Sequence, residues 1–279
     1  MIWVFRMYDM RDTREVLINH ANYRFSICDS RNLLAYHIFL FIILRLDRFS
    51  LLRKEISLEF ESLTDLSTQL CSYYGHPIIK NKSSIKDALT ALEDIALVMS
   101  NSQKPTKEER DELGLKKVSY LFLSLNIKGL LHWRPKGNIA YEHNPFISDL
   151  INKWQTTEVF ENNYSYRAFD SKVMPILRSL SRIAFNKSLS LVAYQIALYF
   201  TFKKDQQLFK FSSYSRFIEE LSPFVSLFEI AQTTVFRNLN TLAELGILNV
   251  YLINPKAELS LDEFKDHDSI LAIEKRLIS

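Results

Sequence analysis

Gln232–Ile253 reads QTTVFRNLNTLAELGILNVYLI, and this stretch decides the fold. Val235, Leu239, Leu242 and Leu245 recur at i, i+4, i+7 and i+10, the spacing of one buried stripe on an α-helix. Thr233 is placed to cap the start of that helix. Gly246 stands where a left-handed residue stops a helix, and the β-rich run Ile247–Ile253 follows at once. Stepping about 100° per residue from Val235 puts Thr233, Arg237, Asn240 and Glu244 on the opposite face, with Thr234 and Thr241 on one flank. Arginine, an amide and short hydroxyls in that arrangement can reach base edges and phosphates in a major groove. The plain alternative is a solvated face of an ordinary amphipathic helix.

Working outward, an internal repeat emerges. Leu34–Leu40 (LAYHIFL) reads against Val192–Leu198 (VAYQIAL) at an offset of 158, with Ala, Tyr, Ile and Leu coinciding. Both segments are apolar nearly all round, which predicts two central core helices. After the first come a strand-like piece at Glu55–Phe60, helices over Leu63–Leu70 and Ser84–Val98, and two strand-like pieces around Val118–Ile127. After the second come Leu208–Phe211, helices over Ser213–Leu221 and Thr234–Leu245, and a strand at Ile247–Ile253. The third helices match at an offset of 150, where Ile85, Leu89, Leu92 and Ile95 face Val235, Leu239, Leu242 and Leu245, and Ser83 faces Thr233 as a cap. A chance likeness of two apolar helices is the competing explanation.

The order helix, strand, helix, helix, strand, strand is that of a winged helix-turn-helix. The pattern at Thr233–Leu248 resembles the recognition helix and first wing strand of winged-helix DNA-binding proteins. The fold expected is mainly α (α+β): two tandem winged helix-turn-helix domains with an ordered, aromatic-rich connector. Residues 1–128 form the first domain and residues 129–170 the connector, which carries Trp133, Tyr141, Trp154, Tyr164 and Tyr166. Residues 171–255 form the DNA-reading domain and residues 256–279 an acidic tail. A helix around Val173–Phe185, with Pro175 in its first turn, leads into the second repeat.

Composition excludes several function classes. Five glycines in 279 residues are too few and too scattered for a phosphate loop, a dinucleotide fingerprint or a nucleophile elbow. Two distant cysteines, Cys28 and Cys71, give no disulfide framework or zinc site, which points to a cytoplasmic protein. The six histidines include no pair at helical metal-ligand spacing, and no nucleophile–base arrangement stands out. The expectation is no enzyme, no metal and no cofactor. The apolar run Leu33–Leu44 is 12 residues long, against roughly 20 for a bilayer span, so it reads as a buried helix and no membrane partner is expected.

Charge is distributed unevenly. Arg167–Lys210 holds eight basic residues and two acids, whereas residues 256–279 hold four basic residues and six acids. Clustered cations neutralise phosphates, so Lys187, Lys203, Lys204 and Lys210 join Thr233, Thr234, Arg237, Asn240 and Thr241 as candidate DNA contacts. The third helix of the first repeat exposes Lys86 beside Asp87, Glu93 and Asp94, carboxylates that would meet phosphates badly. Lys80, Lys82 and Lys86 are therefore candidates for a weaker backbone contact only, and the first repeat for a dimerisation module.

Two tandem winged helices joined by an ordered connector resemble the initiator (Rep) proteins of plasmids. The resemblance covers about Asn32–Ile253 and is architectural; only the recognition-helix pattern at Thr233–Leu248 carries it at residue level. It implies double-stranded DNA with repeated origin sites as the partner, together with host replication proteins and a second copy of the chain. A winged-helix transcription regulator shares the same DNA chemistry. A winged-helix module that binds protein without DNA is the third reading.

Overall fold

The computed structural model describes residues 21–22, 24–25, 32–45, 57–79, 81–104, 106–113, 120–126, 166–202, 208–221, 230–253 and 270–275. The architecture is mixed helix and sheet. The chain divides into two compact units: Met1–Ile18 with Asn32–Asp170, and Asn19–Arg31 with Ser171–Ser279. The sequence reading placed Asn19–Arg31 with the first domain. In the structure Ala21, Asn22, Arg24 and Phe25 are buried, and Asn22 Oδ1 accepts from Gln195 Nε2 at 3.1 Å within the second unit.

In the first unit the order is α1 (Leu33–Arg45), β1 (Ser57–Phe60), α2 (Leu63–Tyr74), α3 (Lys82–Asp94), β2 (Val98–Gln103), α4 (Lys107–Leu113) and β3 (Tyr120–Leu125). Strand β3 lies between β1 and β2, antiparallel to both. Asn32 caps α1 by accepting from Ala35 N–H at 2.9 Å. Residues Leu34 to Leu44 of α1 are all buried, as a helix apolar on every side requires. Around it close Leu66, Leu70 and Tyr74 of α2, Ile85, Leu89 and Leu92 of α3, and the alternating Leu121, Leu123 and Leu125 of β3. Among the described residues no helix is long and apolar enough to cross a membrane.

One core residue is ionisable. His37 is fully buried on α1, its Nδ1 2.8 Å from the Leu33 carbonyl and its ring edge-to-face with Tyr74 at 5.0 Å. The Tyr74 hydroxyl donates to the His37 carbonyl at 2.8 Å. Burial pulls His37 down from 6.5 to about 3, the Leu33 carbonyl opposes that, and His76 adds to it. The fold therefore takes His37 neutral, while the unfolded chain protonates it below its ordinary value. The stability from neutral His37 is complete above about pH 6.5 and falls toward pH 3 by up to about 1.4 kcal/mol per pH unit. Replacing His37 by Gln, the residue at the matching position 195, is expected to flatten that part of the acid limb. Hydrogen exchange of core amides at pH 4 and pH 7 measures it; equal acid sensitivity in both proteins contradicts the assignment.

In the second unit α5 (Tyr166–Asn186) leads to α6 (Leu191–Phe202), β4 (Leu208–Phe211), α7 (Tyr214–Leu221), α8 (Gln232–Glu244), β5 (Leu248–Ile253) and β6 (Ile270–Lys275). Helix α5 starts earlier than the sequence suggested, so Pro175 lies inside it and not in its first turn. Pro175 is on the exposed side, where the helix loses one backbone bond. The core gathers α6, Val235, Leu239 and Leu242 of α8, and Phe209 and Phe211 of β4. Phe200 meets Phe209 at 4.9 Å and Phe211 meets Phe217 at 5.1 Å.

The two units repeat one plan. Strand β6 lies between β4 and β5 as β3 lies between β1 and β2. Val98 pairs with Leu125 and Leu248 with Lys275; Phe60 pairs with Leu121 and Phe211 with Leu271. From the third helix onward the offset is constant at 150, with 82 matching 232, 98 matching 248 and 120 matching 270. Two strands differ from the sequence reading. The first unit's last two strands are 98–103 and 120–125, not two pieces within 118–127. Residues 256–279, read as an acidic tail, contain the central strand of the second sheet.

Both third helices end in the same hydrogen-bonded turn. Leu97 N–H donates to Leu92 O at 3.0 Å, and Ile247 N–H to Leu242 O at 2.9 Å. The left-handed residue is Ala96, with φ 52°, in the first unit and Gly246, with φ 69°, in the second. A Cβ in that conformation costs about 1–2 kcal/mol. Ala96→Gly is expected to stabilise the first unit by about 0.5–1 kcal/mol, net of glycine's larger unfolded-state entropy. Slower amide exchange at Leu97 and Leu123 would register the gain, and unchanged or faster exchange would contradict it.

Candidate nucleic-acid interface

Helix α8 positions the candidate contacts. Its buried stripe is Val235, Leu239 and Leu242, with Asn238 buried beside them. Thr233, Arg237, Asn240 and Glu244 are exposed, and Thr234 and Thr241 are half-buried. The exposed four sit at i, i+4, i+7 and i+11, a row about 16 Å long at 1.5 Å rise per residue. The side chain of Arg237 has no ion-pair partner among the described residues, so its guanidinium keeps its donors for an external acceptor. Thr241 Oγ1 donates to the Arg237 carbonyl at 3.0 Å, leaving that hydroxyl its acceptor capacity.

Thr233 does not cap the helix. Helix α8 begins at Gln232 with Ala231 at the N-cap and no side-chain cap bond, so Thr233 lies in the first turn with its hydroxyl uncommitted to a cap. Ser83 likewise lies inside α3, whose N-cap is Asn81 accepting from Ser84 N–H at 2.8 Å.

The sequence reading missed the bond that fixes how α8 sits on α6. Ser190 Oγ accepts from Ala193 N–H at 3.0 Å, capping α6, and donates to Asn238 Oδ1 at 2.6 Å. Asn238 Nδ2 donates to the Thr234 carbonyl at 2.8 Å. A serine ahead of an apolar helix was the available signal for the cap. An asparagine adjoining the Leu239 stripe was the signal for the partner. The same bond brings Ser190, at the end of the α5–α6 turn that carries exposed Lys187, against the middle of α8.

Lys210 is exposed on β4, whose other face buries Phe209 and Phe211. Lys203, Lys204 and Lys80 lie outside the described residues. In β5 and β6, Asn249 Nδ2 and the Tyr251 hydroxyl both donate to Glu274 Oε2, at 3.0 and 3.2 Å. That carboxylate is therefore tied within the sheet.

The matching surface of α3 has a different charge. Lys82 and Lys86 are exposed, but Asp87 occupies the position of Arg237 and Glu93 that of Ala243, while Asp94 keeps the charge of Glu244. Glu93 Oε1 accepts from the Ser100 N–H and hydroxyl. Among the described residues no group of His, Cys, Asp and Glu has a geometry for a metal ion. Compared with known protein families, curated proteins and solved structures, the chain matches none.

Proposed function

We propose that both units are winged helices and that the chain binds double-stranded DNA in a sequence-specific way, with α8 as the reading helix. The observation that carries this reading is the row Thr233, Arg237 and Asn240, exposed on a helix whose opposite face, Val235, Asn238, Leu239 and Leu242, is buried. Arginine suits a guanine edge and asparagine an adenine edge. Exposed Lys187 and Lys210 supply phosphate contacts that set position and carry no sequence information.

Within DNA-binding proteins, the proposed role is a plasmid-type replication initiator that binds repeated origin sites. Two copies of one plan in a single chain support it. A transcription regulator is the second reading, favoured by Asp87 at the place of Arg237, which leaves one reading helix per chain. Footprinting of the DNA around the gene, combined with a strand-opening assay, separates the two. An initiator protects several repeats and opens adjacent duplex, whereas a regulator protects one or two sites and opens none.

A further inference from the structure

The first unit carries a groove at a place where the second unit, within its own fold, stacks two aromatic rings. Its volume is about 610 Å³, within the range of small-molecule sites. Leu63, Leu89 and Leu121 supply the apolar part of a mixed lining whose remainder is hydroxyl-bearing and charged, with Lys82 and Lys86 contributed by α3 and Tyr120 by β3. The repeat supplies the comparison. The serine caps match, Ser62 accepting from Asp65 N–H and Ser213 from Arg216 N–H, so Leu63 corresponds to Tyr214. Lys86 corresponds to Phe236 by the constant offset of the third helices. In the second unit Tyr214 and Phe236 lie ring to ring at 5.4 Å. The plan thus accommodates an aromatic plug at this place, and the first unit has leucine and lysine there.

Two cations also stand together at this groove. Lys82 and Lys86 are one helical turn apart, a like-charge pair that disfavours the helix unless an anion lies between them. Neither ammonium has a carboxylate partner among the described residues. Glu93 lines the same groove, with its Oε1 held by Ser100. We infer that this groove binds a small amphipathic anion, a phosphate or carboxylate on a compact apolar body, with Lys82 and Lys86 holding the charge and the three leucines the body. A DNA backbone fits less well, because a phosphodiester has no apolar part for the leucines and Asp87 and Asp94 are exposed on the same helix.

Calorimetric titration of the full chain with phenyl phosphate, and with inorganic phosphate as the charge alone, tests the inference. Phenyl phosphate is expected to saturate one site, with inorganic phosphate at least tenfold weaker. Leu63→Tyr/Lys86→Phe, which copies the plug, and Lys82→Gln/Lys86→Gln, which keeps the groove open, are each expected to weaken phenyl phosphate at least tenfold. The inference is overturned by absence of saturation or by undiminished binding in the charge variant. Equal affinity for inorganic phosphate, or displacement by a duplex of unrelated sequence, overturns it in favour of a phosphodiester contact.

Discussion

Deleting residues 256–279 is expected to unfold the second unit while the first keeps its fold. Strand β6 pairs with every residue of β4 and of β5, so its loss leaves both strands without a neighbour. Ala272 and Ile273 are buried in the core, and Glu274 holds Asn249 and Tyr251. Removing the Ile273 side chain alone is worth about 2–5 kcal/mol. A domain's whole stability is about 5–15 kcal/mol. Amide exchange measures the result: protection at Leu239 and Val250 should vanish and protection at Leu89 and Leu123 should persist. A dispensable tail predicts native protection in both units, and that outcome would contradict the strand assignment.

Arg237→Ala is expected to weaken specific DNA binding by about 1–3 kcal/mol, roughly five- to 150-fold, with binding to unrelated duplex much less affected. The side chain is exposed on α8 away from the Val235, Leu239 and Leu242 stripe, so the fold should be unchanged. Lys187→Ala and Lys210→Ala should behave differently. Each is expected to weaken all duplexes alike and to reduce the salt dependence by about one counterion. Fluorescence anisotropy at two or more salt concentrations distinguishes the patterns. Unchanged specific affinity for Arg237→Ala would remove α8 from the reading role.

Much of the helical framework was legible because the patterns were long. The apolar faces of α1 and α6 and the i, i+4, i+7 stripe of α8 are statements of periodicity, and the structure buries those side chains. Gly246 was legible for the same kind of reason, since a left-handed stop asks for glycine. The strands were harder. In β2 only Val98 is buried, Met99 is 48% exposed, and Asn101, Ser102 and Gln103 are exposed, so an edge strand reads as a polar loop. Strand β6 was hidden by its acidic surroundings, although the offset of 150 already linked the third helices. Carried forward, it sets Tyr120–Leu125 against Ile270–Lys275. Of the candidate site, the exposed row on α8 follows from angle arithmetic. The Ser190–Asn238 bond does not, because it depends on which faces of α6 and α8 meet.

The most direct test of DNA reading is a gel-shift titration of the full chain against DNA surrounding its gene mixed with random genomic fragments, at low and physiological salt. A few fragments are expected to be retained tightly, with affinity for all fragments falling with salt and the selected few still standing out at physiological salt. Retention of no fragment at either salt would contradict DNA reading and bring forward a winged-helix module that binds protein.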